Sequence, residues 1–157
     1  MHFMTRTSQH PLAEITLRKY ERPYQLEERE LVKRVCLSLG LLQPGDSRDV
    51  VVDILQVMIH QKQPVDSPTI EKLVIENRKK YKCTLLGCAT SNIRRQVRRI
   101  RELFLIEKMK NTYRITENER FSLIFEDKIR KISLDPMIER IKEYLNALDN
   151  LRYLLGK

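Results

Sequence analysis

The sequence predicts a mainly helical fold carrying one small β-hairpin. Three observations point there. Apolar residues recur at helical spacing in six segments. Start and stop residues bracket most of those segments. One short stretch, residues 104–116, breaks the helical period and reads as two strands about a tight turn. The 157 residues suffice for one domain with a core of its own plus extensions. The expected division is an N-terminal arm over residues 1–25, a domain over 26–116, and C-terminal helices over 117–157.

Residues 1–12 read as an arm or as disordered, and residues 13–25 as a short strand or extended arm ending at Pro23. A helix follows over 26–40, with Leu31, Val32, Val35 and Leu39 on one face. Gln43-Pro44-Gly45 is a turn. Asp46 or Ser47 then caps a helix over 47–62, whose core face is Val50, Val51, Ile54, Leu55 and Met58. Asp49 and Asp53 lie at helical spacing with Asp46 and read as a cap and a solvated face. Pro64 stops this helix.

Ser67-Pro68 starts the next, over about 68–81, because Ser accepts from first-turn amides and Pro fits the first helical position. Ile70, Leu73, Val74 and Asn77 mark its inner face. Residues 82–90 form a turn around Gly87, and Thr90 or Ser91 caps a helix over 91–104. Strands over 104–109 and 112–116 flank a turn at Lys110-Asn111, where Asn suits a positive φ. Thr116 or Asn118 starts a helix to about 132, and Asp135-Pro136 starts a last one over 136–155.

Charge is unevenly spread. Lys and Arg total 30 against 21 Asp and Glu, a net of +9. Residues 77–101 hold Arg78, Lys79, Lys80, Lys82, Arg94, Arg95, Arg98, Arg99 and Arg101 and no acid, which equals that whole excess. Like charges so close repel one another unless a polyanion or an internal partner neutralises them. On the helix 91–104, Ile93, Val97, Ile100 and Phe104 form an apolar stripe, and Arg95, Arg98, Arg99 and Ser91 lie opposite. Arg94 and Arg101 sit on one shoulder. Arginine presents planar, bidentate donors that match guanine edges and phosphate.

A helix, a turn, an arginine-faced helix and a hairpin in that order form the helix-turn-helix plus wing arrangement. The stretch from Val51 to Thr116 resembles a winged helix-turn-helix domain of prokaryotic transcription regulators such as the MarR and PadR groups. Thr90-Ser91, the helix NIRRQVRRIRELFLI and the wing EKMKNTYRIT carry the resemblance, with Leu105-Ile106 at the junction of helix and wing. Phe104 departs from it: such patterns often have Gly there, so a looser turn is expected. The resemblance implies a recognition helix with Ser91, Asn92, Arg95 and Arg98 at base edges and Arg94, Arg99 and Arg101 at flanking phosphates. It further implies that Lys108, Lys110 and Asn111 set the wing on backbone or minor groove. The Arg78–Lys82 cluster suits either a phosphate or the negative end of its own helix.

These readings predict a double-stranded DNA-binding transcription regulator, cytoplasmic and associated with the nucleoid. Two other classes stay open: a winged-helix protein-interaction module of the transcription machinery, and a non-specific chromatin or RNA-binding protein. Catalytic motifs are missing, so no enzyme and no cofactor are expected. Cys83 and Cys88, with Cys36 and His60, do not have the spacing of a zinc site, so no metal is expected; a Cys83–Cys88 disulfide stays open. Apolar runs are too short for a membrane span. In the last helix Ile138, Ile141, Leu145, Leu148 and Leu155, with Leu151 and Leu154 beside them, come close to a heptad seam. The stripe packs either on the chain's own core or on a second copy, and a homodimer through residues 118–155 is the favoured expectation.

Overall fold

A computed structural model of the chain describes residues 8–156. The expectation for residues 1–7 lies outside them. The fold is mainly helical with a small antiparallel sheet: α1 (Glu28–Ser38), α2 (Val50–Ile59), β1 (Val65–Asp66), α3 (Ser67–Lys80), α4 (Thr90–Glu102), β2 (Ile106–Met109), β3 (Thr112–Ile115), α5 (Phe121–Ile124) and α6 (Asp135–Leu155). The sheet order is β1-β3-β2, and β1 is a strand the sequence did not announce. It pairs Val65 with Tyr113 and so ties the start of α3 to the hairpin.

α2 is the centre of the core. Every residue from Val50 to Met58 is buried, polar ones included. α1, α3 and α4 surround it, contributing Val32, Ile70, Val74, Ile93, Val97 and Ile100. Asp49 and Asp53 are therefore not on a solvated face. Asp53 is fully buried, and its neighbour on the same stripe, Gln56, is 2% exposed. Asp53 accepts from Arg29 at 2.7 Å, Arg78 at 2.6 Å and Asn77 at 2.8 Å. Asp49 accepts from Arg78 at 2.9 Å and Arg29 at 3.3 Å. Gln56 bonds Asn77, Tyr81 and Glu28. Burial alone would raise the Asp49 carboxyl, but the Arg78 hydrogen bond and the charges of Arg29 and Arg78 outweigh it and hold it below the usual aspartate range.

Several element starts differ from expectation. The α2 N-cap is Asp49, whose carboxylate is taken by the two arginines, while Asp46 accepts from the Arg48 amide in a local turn. Asp66, not Ser67, caps α3 by accepting from the Thr69 amide, with Pro68 in the first turn. Ala89 occupies the N-cap of α4, and the Thr90 hydroxyl instead donates to Glu71. Neither Thr116 nor Asn118 starts α5. The Thr116 hydroxyl donates to the Phe104 carbonyl at 2.5 Å, and Glu117 and Asn118 both have positive φ, which no helix accepts. Asp135-Pro136 does mark the start of α6, with Pro136 in its first turn, but not by capping: no side chain caps this end, because α5 continues through a π-type segment, Phe125–Leu134, directly into α6. Residue 135 is already helical, and its amide reaches back to the Arg130 carbonyl.

Residues 13–25 are extended without being a strand. Arg18 holds them to the domain, donating to the carbonyls of Leu37 at 2.7 Å and Leu42 at 3.2 Å. Of the predicted α1 face, Val32 is buried, while Leu31 and Val35 line an apolar groove of about 330 Å³ with Phe121 and Phe125. No residue of α6 is buried, so its stripe does not pack on the chain's own described core. Among the described residues, no helix is long and apolar enough to cross a membrane.

Breaking a buried ion pair from one side leaves an uncompensated charge. Asp53→Ala should lower unfolding free energy by about 3–5 kcal/mol in denaturant titration. The depressed Asp49 value fixes the sign of the acid response. Its contribution is complete above the unfolded aspartate value, about 3.9, and is lost as pH falls through the folded value. Stability measured from pH 6 to pH 2 should fall along this limb, and Asp49→Asn should flatten it.

Candidate nucleic-acid interface

α4 buries Ile93, Val97 and Ile100 against α2 and turns its other side outward. Gln96, which the helical wheel left unassigned, is also buried, accepting from Arg99 and donating to Asn92. Ser91, Arg94, Arg95, Arg98 and Arg101 are exposed along the outer face.

The entry into α4 is fixed by a left-handed glycine. Gly87 has φ +86, and a Cβ there would stand 3.2 Å from Val50 and 3.3 Å from the Asn92 amide. Asn92 donates to the Gly87 carbonyl at 2.7 Å and accepts from Arg95 at 3.0 Å. Asn92 is thus half-buried and committed to holding the turn and aiming Arg95. The Asn92 side chain, expected at base edges, is here engaged within the chain.

The exit from α4 is equally constrained. Phe104 takes φ +65, the conformation in which the resembling patterns often use Gly. The turn is therefore tight, against the looser one expected. Its cost is offset by the Thr116 hydroxyl on the Phe104 carbonyl and by packing of the ring against the core. The helix ends at Glu102, and buried Leu105 and Ile106 lead into the hairpin. Register then places Glu107 opposite Arg114 and Lys108 opposite Tyr113. Burial would raise the Glu107 carboxyl, but the Glu117 amide and Arg114 hold it below the usual range. Lys110, not Asn111, takes the positive φ of the hairpin turn, at +57.

Arg94, Arg98 and Arg101 from α4 meet Lys108, Asn111 and Tyr113 of the hairpin, Asp66 at the end of β1, and Ser67 and Pro68 at the start of α3 around one cleft of about 490 Å³. Lys108 lies 5.8 Å from the Tyr113 ring centroid. Tyr113 and the start of α3 were not expected here; only the pairing of β1 with β3 brings them in, and a two-residue strand has no legible periodicity. Among the described residues Asp66 is the one acid lining this cleft, and it is occupied as the α3 cap.

The remaining basic residues divide. Arg95, Arg98, Arg101, Lys108 and Lys110 form no ion pair among the described residues. Arg94 lies 3.7 Å from Glu71. Arg99 turns away from the outer face, donating to the Gly40 carbonyl at 3.0 Å and to Gln96 at 2.8 Å. Its expected role at a flanking phosphate is corrected accordingly: it braces α4 on the turn after α1. Arg78, 1% exposed, is a core residue, and its Nε donates to the Thr84 carbonyl in the α3–α4 turn at 2.6 Å. Among the described residues the three cysteines are free thiols, with Cys36 pushed up to about 12 by burial, and no group of His, Cys, Asp and Glu is placed to hold a metal ion.

No family model, curated protein or solved structure matches the chain.

Asn92 and Arg98 sit six residues apart on one helix with opposite duties. Asn92→Ala should cost about 1–3 kcal/mol in unfolding free energy, since it strands the Gly87 carbonyl. Arg98→Ala should stay within about 0.5 kcal/mol of wild type. Urea unfolding of the two variants checks both.

Proposed function

We propose that the chain is a double-stranded DNA-binding transcription regulator of the winged helix-turn-helix type. In this reading α3 and α4 are the helix-turn-helix, α4 enters the major groove, and the β2–β3 hairpin is the wing on the backbone or minor groove. The observation that carries it is the convergence of Arg94, Arg98, Arg101 and Lys108 on one open cleft beside exposed Arg95, where the one acid among the described lining residues, Asp66, is already spent as a cap. Solvation alone does not call for five exposed cations along one helix and the adjoining strand. A duplex offers phosphates on both sides of a groove that such a face spans.

Support also comes from the order α2, β1, α3, α4, β2, β3 with sheet order β1-β3-β2, which sets a hairpin beside the C-terminal end of an exposed helix. Division of roles follows position. Ser91, Arg95 and Arg98 lie on the outward face toward base edges. Arg94, Arg101, Lys108, Lys110 and Asn111 flank them toward phosphates. Asn92 acts through Arg95, and Arg99 acts by bracing the helix.

The reading includes self-association. α6 leaves Ile138, Ile141, Leu145, Leu148, Leu151 and Leu155 exposed, between 43% and 78%. A continuous apolar stripe of that length calls for a cover. A homodimer through residues 118–155 supplies it and brings two recognition helices to two half-sites.

Duplex binding should weaken steeply with salt, because cations on the protein release counterions from phosphate. Electrophoretic shift assays between 50 and 200 mM salt check this, and a chain that binds no duplex even at 50 mM sinks the reading. Arg98→Ala or Arg95→Ala should cost about 1–3 kcal/mol on a selected site and relax its sequence preference. Lys110→Ala should weaken selected and random duplexes alike. A chain that binds RNA or random duplex equally well, with no change of preference in Arg98→Ala, would instead favour the non-specific class.

A further inference from the structure

We infer that α6 pairs with α6 of a second copy in antiparallel orientation, so that the two helical domains lie at opposite ends of the helix pair. This rests on the self-association reading above and adds the partner's orientation and register.

Leu134, Ile138, Ile141, Leu145, Leu148, Arg152 and Leu155 follow one another at alternating spacings of four and three residues. In heptad terms Leu134, Ile141, Leu148 and Leu155 are d positions, and Ile138, Leu145 and Arg152 are a positions. The residues flanking the seam then sort by chemistry. On one flank, the e positions are Asp135, Lys142 and Asp149, all charged. On the other, the g positions are Met137, Tyr144 and Leu151, all apolar. α6 is a single 21-residue helix with no buried residue, and apart from half-buried Met137 its flanks are exposed among the described residues.

The two possible orientations treat these flanks differently. In a parallel pair, each g residue faces an e residue of the other copy. Tyr144 would then face Asp149 of the second copy, and Met137 would face its Lys142. The a-position Arg152 would meet the other Arg152 across the axis. Both flanks would set apolar groups against charges, and one seam layer would set like charges together. In an antiparallel pair, e faces e and g faces g. Placing Leu145 against Leu148 of the second copy puts Lys142 beside its Asp149, and Asp149 beside its Lys142. The same register puts Tyr144 beside Leu151 of the second copy and Arg152 across from its Ile141. One flank becomes two opposite-charge contacts and the other becomes apolar throughout. Arg152 faces no like charge, and its long stem can lie along the seam with the guanidinium at the edge.

Charge matching of this kind selects orientation more than it adds affinity. The intrahelical contact of Lys142 with Glu139, 3.4 Å between exposed groups, does not remove Lys142 from the flank. Asp135 lies near Arg130 of its own chain, at 3.8 Å, and outside the paired register.

The antiparallel register makes a test by charge exchange decisive. Lys142→Asp and Asp149→Lys each place like charges at both e–e contacts of a homodimer. Mixed together, the two variants restore opposite charges at both contacts. The full-length chain is used, and circular dichroism confirms that each variant keeps its helix content. Sedimentation velocity at micromolar concentration should find the wild type dimeric and each single variant associating roughly tenfold more weakly or worse. An equimolar mixture of the two should return to near wild-type association as a heterodimer. Should Asp149→Lys disturb the helix, Asp149→Arg combined with Lys142→Glu repeats the exchange. Single variants that dimerise like wild type, or a mixture no stronger than its components, overturn the antiparallel register. A wild type monomeric at tens of micromolar overturns self-association itself, while leaving the duplex-binding measurements to stand or fall separately.

Discussion

Asp53, buried completely in the middle of a helix whose only other polar residue is Gln56, is the constraint on which the rest of this fold depends. A lone carboxylate there would cost several kcal/mol, so α2 can occupy the centre of the core only where cationic and amide partners converge on it. Those partners come from both sides: Arg29 from α1, Asn77 and Arg78 from α3. Their hydrogen bonds tie three helices together around the two buried carboxylates, Asp49 and Asp53, each of which is met by both arginines. Arg78 then extends the constraint outward. Its Nε holds the Thr84 carbonyl, which fixes the chain between α3 and α4, and the Gly87–Asn92 contact passes that order to the first turn of α4. The outward face of α4 is thus aimed by a charge cluster on the far side of its own apolar stripe. Such a cluster does more for arrangement than for net stability, since an apolar replacement of equal volume is often neutral while removal of one partner is not.

The same cluster changes the meaning of the chain's charge. Residues 77–101 carry nine cations and no acid, yet their fates differ. Arg78 is neutralised in the core, Arg99 is spent on the Gly40 carbonyl, and Arg94 leans toward Glu71. Lys79 and Lys80 close α3 and Lys82 follows it; on the outward face of α4 and its hairpin, the cations without an ion pair among the described residues are Arg95, Arg98, Arg101, Lys108 and Lys110. These cations lie close together and repel one another, a standing cost that a polyanion removes on binding. The concentration of unpaired charge on one face, opposite a core held by paired charge, is the physical basis for reading that face as an interface.

Much of this was legible along the chain, and the exceptions have physical causes. Apolar spacing located α2, α3, α4 and the hairpin, because each is half or wholly buried and periodicity reports burial. It located the arginine face of α4 for the same reason. Asp49 and Asp53 were misread because their partners, Arg29 and Arg78, stand twenty or more residues away, beyond any local pattern. Arg99 was misread because helical angle separates buried from exposed but does not say which neighbouring loop an intermediate residue meets. Phe104 and Lys110 hold left-handed conformations that propensity assigns to Gly and Asn; packing against the core and closure of the hairpin override it. Asp135-Pro136 carries a cap signature, but proline in a first turn is also tolerated where a π-type segment has already displaced the preceding hydrogen bonds. The α6 stripe is legible in the heptad spacing, but whether it packs on the chain's own core is not; in three dimensions no residue of α6 is buried against the described residues.

On the proposed function, one face of α4 and the adjoining hairpin take up duplex DNA. The most direct measurement is a titration of isotopically labelled protein with a short duplex, followed by backbone amide resonances at moderate salt. The account predicts that shifts cluster at residues 91–101 and 108–113, while α1, α2 and the polar side of α6 stay still. Shifts confined to α6 or to the groove beside Leu31 and Val35, or no shifts at all, would contradict it.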